Sequence, residues 1–287
     1  MPIAPTLADT STPDQVHRVL GKRRFRLLVC DVDGTLVDSE ERVTPEVAHW
    51  IAEAGRRGLT VCIASGRPQL GLLPLHRELQ LTTPIISSGG ADLYDPLEKR
   101  YLIHTTLAEA DVRCIAAAGR AAGVTLLFEF TDQMILEGDP LEAEKLTQRV
   151  DFAIPVCEDV LATLNSMPTK IVLIGEDAPL VRLEREMSAS CKTVYIARSQ
   201  ADFLDFTAAG VNKGTAIERL SKHLGILLDE TAAIGDSFND ESMLDKAGLG
   251  VCVRNAAPAL QQKADLIAPT NNEGAVAWLL EHLLAAP

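Results

Sequence analysis

Residues 26–40 read RLLVCDVDGTLVDSE. The run from Leu27 to Cys30 is apolar and drives into two aspartates, Asp31 and Asp33, one residue apart. A short apolar run closed by Asp-Gly fits a buried strand that ends in a turn. Two carboxylates at the mouth of such a strand repel each other, and each is costly to desolvate unless something positive lies between them. Either the segment ends in solvent, or the pair holds a cation and does chemistry.

Outward from this stretch, short apolar runs alternate with helical patterns. TPEVAHWIAEAGRRG has Thr44 as N-cap, Pro45 at the first helical position and Gly58 past the last turn. LTVCIAS, the helix-like RPQLGLLPLHRELQ and TPIISS complete the first half. NKGTAIERLSKHLG, TAAIGDS, NDESMLDKAG, LGVCV, ADLIA and EGAVAWLLEHLL continue the alternation near the other end. The pattern predicts an α/β, Rossmann-like core: a parallel sheet with helices on both faces. Between its halves, DLYDPLEKRYLIH reads as a hairpin turning at Asp95-Pro96, and VTLLFEFTDQMILEG as a strand pair. This texture predicts an inserted α+β domain with an antiparallel sheet. The expected division is a polar N-terminal arm over 1–24, a core over 25–91 and 197–287, and an insert over 92–196. Lys170 opens a strand of the insert, and a surface place and an approach to a ligand are both open for it.

The chain of 287 residues is 47% hydrophobic, enough for a large core in one or two domains. Its formal charge of −13, with no basic stripe, argues against nucleic acid or an anionic membrane as partner. No apolar run approaches 18 residues, and the first 24 lack the apolar middle of a signal peptide. Six cysteines without C-x-x-C spacing read as small buried hydrophobes in a reducing compartment, so a cytoplasmic location is expected.

In an open parallel sheet, ligands bind beyond the carboxyl ends of the strands. The first strand ends at Asp31 and Asp33, and the second at Ser65 with Gly66 and Arg67. Lys213 opens a helix in GVNKGTAI, and TAAIGDSFND ends a strand at Asp236, with Asn239 and Asp240 just after. If these tips converge, the mixture suits Mg²⁺ and a phosphoryl group. Hard carboxylate oxygens take the metal, while Lys213, Ser65 and backbone N–H groups near Gly34 hold phosphate oxygens. One carboxylate can act as nucleophile while the other moves a proton, which gives the one-residue gap a purpose.

Taken in order, DVDGTLVD, IASGRP, NKG and GDSFND resemble the four motifs of the haloacid dehalogenase (HAD) superfamily of phosphohydrolases. The place of the insert, between the second and third motifs, is similar to the Cof-type subfamily with its type IIB α/β cap. The tail RNAAPALQQKADLIAPTNNEGAVAWLL also resembles that subfamily. The resemblance covers residues 26–284 and implies an HAD-type phosphatase. By it, Asp31 is the nucleophile that forms an aspartyl-phosphate and Asp33 the general acid/base. It implies magnesium held by Asp31, the Asp33 carbonyl and Asp236, with Asp240 or Asn239 in support. Gly34, Ser65, Gly66 and Lys213 would bind phosphate, with Arg67 and Asn239 near the substrate. Gly89 stands where the Cof-type pattern has Asn. The implied substrate is a small phosphorylated metabolite such as a sugar phosphate, acted on by a monomer or homodimer. A phosphosugar mutase and a non-catalytic phosphate-binding regulator are the alternatives.

Overall fold

The computed structural model describes residues 9–150 and 152–285. The chain begins with α1 (Pro13–Leu20), β1 (Leu27–Cys30), α2 (Pro45–Arg56), β2 (Thr60–Ile63), α3 (Gln69–Glu78) and β3 (Ile85–Ser87). The middle holds β4 (Asp92–Asp95), β5 (Arg100–His104), α4 (Glu109–Ala122), β6 (Thr125–Glu129), β7 (Met134–Glu137) and α5 (Pro140–Val150). It continues through β8 (Lys170–Ile174), α6 (Asp177–Ser190), β9 (Val194–Gln200) and β10 (Phe203–Ala208). The last third carries α7 (Lys213–Leu224), β11 (Thr231–Gly235), α8 (Glu241–Lys246) and β12 (Leu249–Val253). It closes with α9 (Pro258–Gln261), β13 (Leu266–Ala268) and α10 (Ala275–Ala285).

Two compact units result. The first comprises the chain up to Ser65, His76–Ile85 and Lys213 onward. Its sheet is wholly parallel, in the order β13-β12-β11-β1-β2. β1, β11, β12 and β13 are buried along their whole length, so they read as continuous apolar runs rather than alternating ones. Thr44 caps α2 as expected, its hydroxyl accepting from the Val47 N–H at 3.3 Å.

The second unit comprises Gly66–Leu75 and Ile86–Asn212. Its five-stranded sheet runs β7-β6-β8-β10-β9 with antiparallel pairing throughout. Alternate residues of its strands serve two cores. Leu126 and Phe128 join Ile115, Leu180 and Phe206 on one face, while Leu127 joins Met134, Leu146 and Val172 on the other. The hairpin turn is where Asp95 places it, with Asp95 Oδ1 accepting from the Leu97 and Glu98 N–H groups.

The structure differs from the sequence reading in four places. Residues 13–20 of the expected arm form α1, with a capping box between Thr12 and Gln15 and with Val16 and Leu20 buried. Ser11 ties this segment to β13, donating through its N–H to the Ile267 carbonyl and accepting the Ile267 N–H at its hydroxyl, both at 2.9 Å. Residues 1–8 of the arm lie outside the described residues. The second unit runs to Asn212 rather than 196, because β10 fills the place between β8 and β9. TPIISS forms β3, yet it belongs to a separate three-stranded sheet, β3-β4-β5. Cys30, Cys62 and Cys252 are buried, whereas Cys114 is exposed with its Sγ 3.6 Å from that of half-buried Cys191. Among the described residues no helix is long and apolar enough to cross a membrane.

Candidate active site

The site forms in the first unit, at the carboxyl ends of β1, β2 and β11. β1 and β11 run in register to Cys30 and Ile234, and the Asp31 N–H extends the ladder to the Ile234 carbonyl at 2.9 Å. That bond brings the tip bearing Asp31 beside the tip bearing Asp236. Past β1 the chain makes one short helical turn over Val32–Leu36, in which Val32 is fully buried, Asp31 before it is buried and Asp33 is half-exposed. Gly34 then turns the chain at φ +77°. A Cβ there would stand 2.6 Å from Asp236 Oδ2, so only glycine admits the close approach.

Lys213 opens α7 with 1% of its surface exposed. Its Nζ donates to Asp31 Oδ1 and to Asp240 Oδ1, each at 2.5 Å. The other oxygen of Asp240 accepts from the N–H groups of Asp236 and Ser237 at 3.0 Å and from the Ser237 hydroxyl at 3.2 Å. Asp240 therefore orients Lys213 and the Asp236 loop with both its oxygens. The Asp236 side chain accepts from the Thr35 hydroxyl at 3.4 Å. Asn239 is half-buried and accepts from the Ser237 hydroxyl at 2.7 Å.

Charge in this cluster is unbalanced. Oxygens of Asp31, Asp236 and Asp240 lie within 4.8 Å of one another, with Lys213 as the ammonium between Asp31 and Asp240. Burial and the facing Asp240 push the Asp31 carboxyl well above its usual range, against the pull of Lys213. Burial and Asp240 likewise push Asp236 up to about 7. Burial works against the Lys213 ammonium, but Asp240 and Asp31 outweigh it and raise its pKa. Asp31 Oδ2 is buried with no protein donor reaching it. An orphaned carboxylate oxygen in an all-oxygen donor set fits a hard divalent cation.

Ser65 is buried just past β2, beside β1, whose Cys30 carbonyl accepts the Ala64 N–H at 2.8 Å. Gly66 and Arg67 fall in the second unit. There the Gly66 carbonyl accepts from Lys170 Nζ, and the Arg67 carbonyl accepts from the Ser88 N–H. Lys170 itself is buried against Glu129, 3.1 Å away, and Asp205, 3.8 Å away. The surface place left open for it is not the one it takes.

Residues 28–280 match the family described as haloacid dehalogenase-like hydrolases. The chain belongs to that family. It is similar to Phosphatase YwpJ of Bacillus subtilis, 28% identical over 91% of this chain and 100% of that protein. It is similar as well to the HMP-PP phosphatase of Serratia proteamaculans, 28% identical over 92% and 97%. Among solved structures it resembles the HAD subclass IIB sugar phosphatase BT4131, with a TM-score of 0.80 and 25% identity over 90% of this chain and 98% of that one. The chain is thus a phosphatase of the HAD superfamily.

Two parts of this hydrolase's site lie inside stretches already singled out in the sequence, but were given no role there. One is Thr35, whose hydroxyl reaches Asp236. The other is a pair of asparagines in the tail. Asn255 Nδ2 donates to the Gly34 carbonyl at 2.8 Å, and Asn271 Nδ2 to the Val37 carbonyl at 2.9 Å.

Gly34→Ala is expected to hurt twice. An L-residue at φ +77° costs about 1–2 kcal/mol, and the added Cβ must displace the Asp236 carboxylate. Thermal melting checks this, with a lower melting temperature as the expected result.

Proposed function

We propose that this phosphatase hydrolyses phosphomonoesters of small metabolites, such as sugar phosphates, with magnesium and through an aspartyl-phosphate on Asp31. The observation that carries the reading is the division of labour on Asp31. One oxygen is held by Lys213, and the other is buried without a donor, its lone pairs available.

In the first displacement an Asp31 oxygen forms a bond to phosphorus as the ester P–O bond breaks. Asp33, two residues further on, gives its proton to the departing alkoxide. In the second, Asp33 takes a proton from water, the water oxygen attacks phosphorus, and the Asp31–phosphorus bond breaks to release inorganic phosphate. Lys213 and Ser65, with N–H groups of the Gly34 turn, hold the non-bridging oxygens, where charge builds up. Asp31, Asp236 and the Asp33 carbonyl would hold Mg²⁺, which would keep Asp31 ionised and offset charge on the phosphoryl group. Asn239 is assigned to the substrate's surroundings, and Asp240 to the orientation of Lys213.

The names of similar proteins support small phosphorylated metabolites as the substrate class, since those proteins are an HMP-PP phosphatase and a sugar phosphatase. Phosphate release from a panel of such metabolites, with Mg²⁺, with Ca²⁺ in its place and with neither, tests the reading. Release is expected with Mg²⁺ and not with Ca²⁺, whose larger and looser coordination suits in-line attack poorly. Release that is indifferent to the ion refutes the metal's part. No release from any compound, with isomerisation stimulated by a sugar bisphosphate, refutes hydrolysis in favour of a mutase.

A further inference from the structure

The Gly34 turn is held from behind. Asn255, in the turn between β12 and α9, donates to the Gly34 carbonyl at 2.8 Å and accepts the Asn271 N–H at 3.0 Å through its other side-chain atom. Asn271, before α10, donates in turn to the Val37 carbonyl, and Asn272 Oδ1 accepts the Ser39 N–H at 2.9 Å. Gln261 fixes the Asn255 backbone from both sides, donating to the carbonyls of Arg254 and Ala256 at 2.8 and 3.1 Å. Two loops near the end of the chain thus brace the loop that follows the nucleophile, about 220 residues earlier in sequence.

Gly34 is the weak point of that loop. Without a Cβ it crosses easily between backbone regions, so the peptide joining it to Thr35 can rotate at little cost unless something holds it. In a planar trans peptide the C=O and N–H point in opposite directions. Fixing the Gly34 carbonyl toward Asn255 therefore fixes the Thr35 N–H on the opposite side, and with it the Thr35 hydroxyl that meets Asp236. Asn255 is itself exposed. Water would satisfy the Gly34 carbonyl in its absence, so the bond adds little to stability and acts on orientation.

We infer that Asn255 is a positioning residue for phosphoryl transfer: its donation to the Gly34 carbonyl locks the peptide that carries the Thr35 N–H. The inference rests on the phosphatase reading above. It concerns geometry at the reacting phosphoryl group, where small misplacements cost heavily in rate.

The test compares wild type, Asn255→Ala and Asn255→Asp with p-nitrophenyl phosphate as substrate and orthovanadate as a mimic of the five-coordinate phosphoryl group. The aspartate variant keeps the acceptor for the Asn271 N–H and replaces the donor to Gly34 with a carboxylate oxygen, which repels the Gly34 carbonyl. Both variants are expected to lose about 10- to 100-fold in kcat and to bind vanadate more weakly by a similar factor. KM should change less, and the melting temperature should stay near that of wild type. Variants that match wild type in kcat and in vanadate inhibition overturn the inference. So does a loss confined to Asn255→Ala, or a fall in kcat that follows the melting temperature while vanadate inhibition is unchanged. A wild-type protein that releases no phosphate overturns the phosphatase reading as well, and this is told apart from an active wild type with normal Asn255 variants.

Discussion

Asp31→Asn is expected to lower turnover by on the order of 10⁴-fold while the protein remains folded. The substitution changes one oxygen to an amide nitrogen and removes the negative charge. An amide oxygen is a poor nucleophile, and its product with phosphorus is not an acyl phosphate that water readily opens. Lys213 keeps Asp240 as a partner at 2.5 Å, so the ammonium does not become an unpaired buried charge. Residual activity of more than a few per cent in the purified variant would sink the assignment of Asp31 as nucleophile.

Stability should move the other way. Burial, Asp240 and Asp236 raise the Asp31 carboxyl above its usual value near 3.8, with Lys213 opposing. A group raised in the folded state contributes stability that is fully present below its unfolded pKa and is lost as the pH rises through its folded one. In metal-free buffer at pH 8 the wild type carries that loss, and asparagine, which never ionises, does not. The variant is therefore expected to melt at or above the wild-type temperature at pH 8, with the difference shrinking toward pH 4. Adding Mg²⁺ should raise the melting temperature of the wild type more than that of the variant, because a more tightly bound ligand stabilises the folded state more. A variant that melts well below wild type in metal-free buffer at pH 8 would show that Asp31 is stabilising there, against the charge argument.

What the sequence disclosed follows a physical line. Asp31, Ser65, Lys213 and Asp236 each interrupt or border an apolar run, so their places at strand and helix ends can be read without a partner in view. The parallel core was legible because its strands are buried on both faces and leave unbroken apolar runs. β10 was not, since buried Asp205 sits between Leu204 and Phe206 and breaks the run that would have marked a strand. The helix α1 did carry its signal, in Thr12, Pro13 and Gln15, but eight residues in a polar stretch gave little apolar periodicity beside it. Asn255 stood in a tail that resembles the subfamily, but its contact had no legible mark. Its partner is a backbone carbonyl, which every residue carries, and only the fold selects the one at Gly34.

Lys170 was hidden for a related reason, since a lysine beginning a strand is ordinarily solvated. The fold instead pairs it in register with Glu129 across β6 and β8, and leaves 5% of Lys170 and none of Glu129 exposed. Lys170→Met is expected to destabilise the second unit by about 3–5 kcal/mol at pH 8, because removing one partner strands the other charge. Burial already holds the Glu129 carboxyl above its usual range, with Lys170 the largest influence pulling it down. Without the ammonium that carboxyl rises further. Its contribution is again of the kind present below the unfolded value, near 4.5, and lost as the pH rises through the folded one. Urea unfolding should therefore show a deficit that is small near pH 5 and grows toward pH 8. Lys170→Met combined with Glu129→Gln tests the cause directly. The glutamine carries no charge and retains an oxygen for the Ser88 hydroxyl that Glu129 now accepts. Most of the lost stability should return in the double variant, and the pH dependence of the deficit should flatten. If the double variant is no more stable than Lys170→Met alone, the methylene packing and the bond to the Gly66 carbonyl matter more than the buried charge.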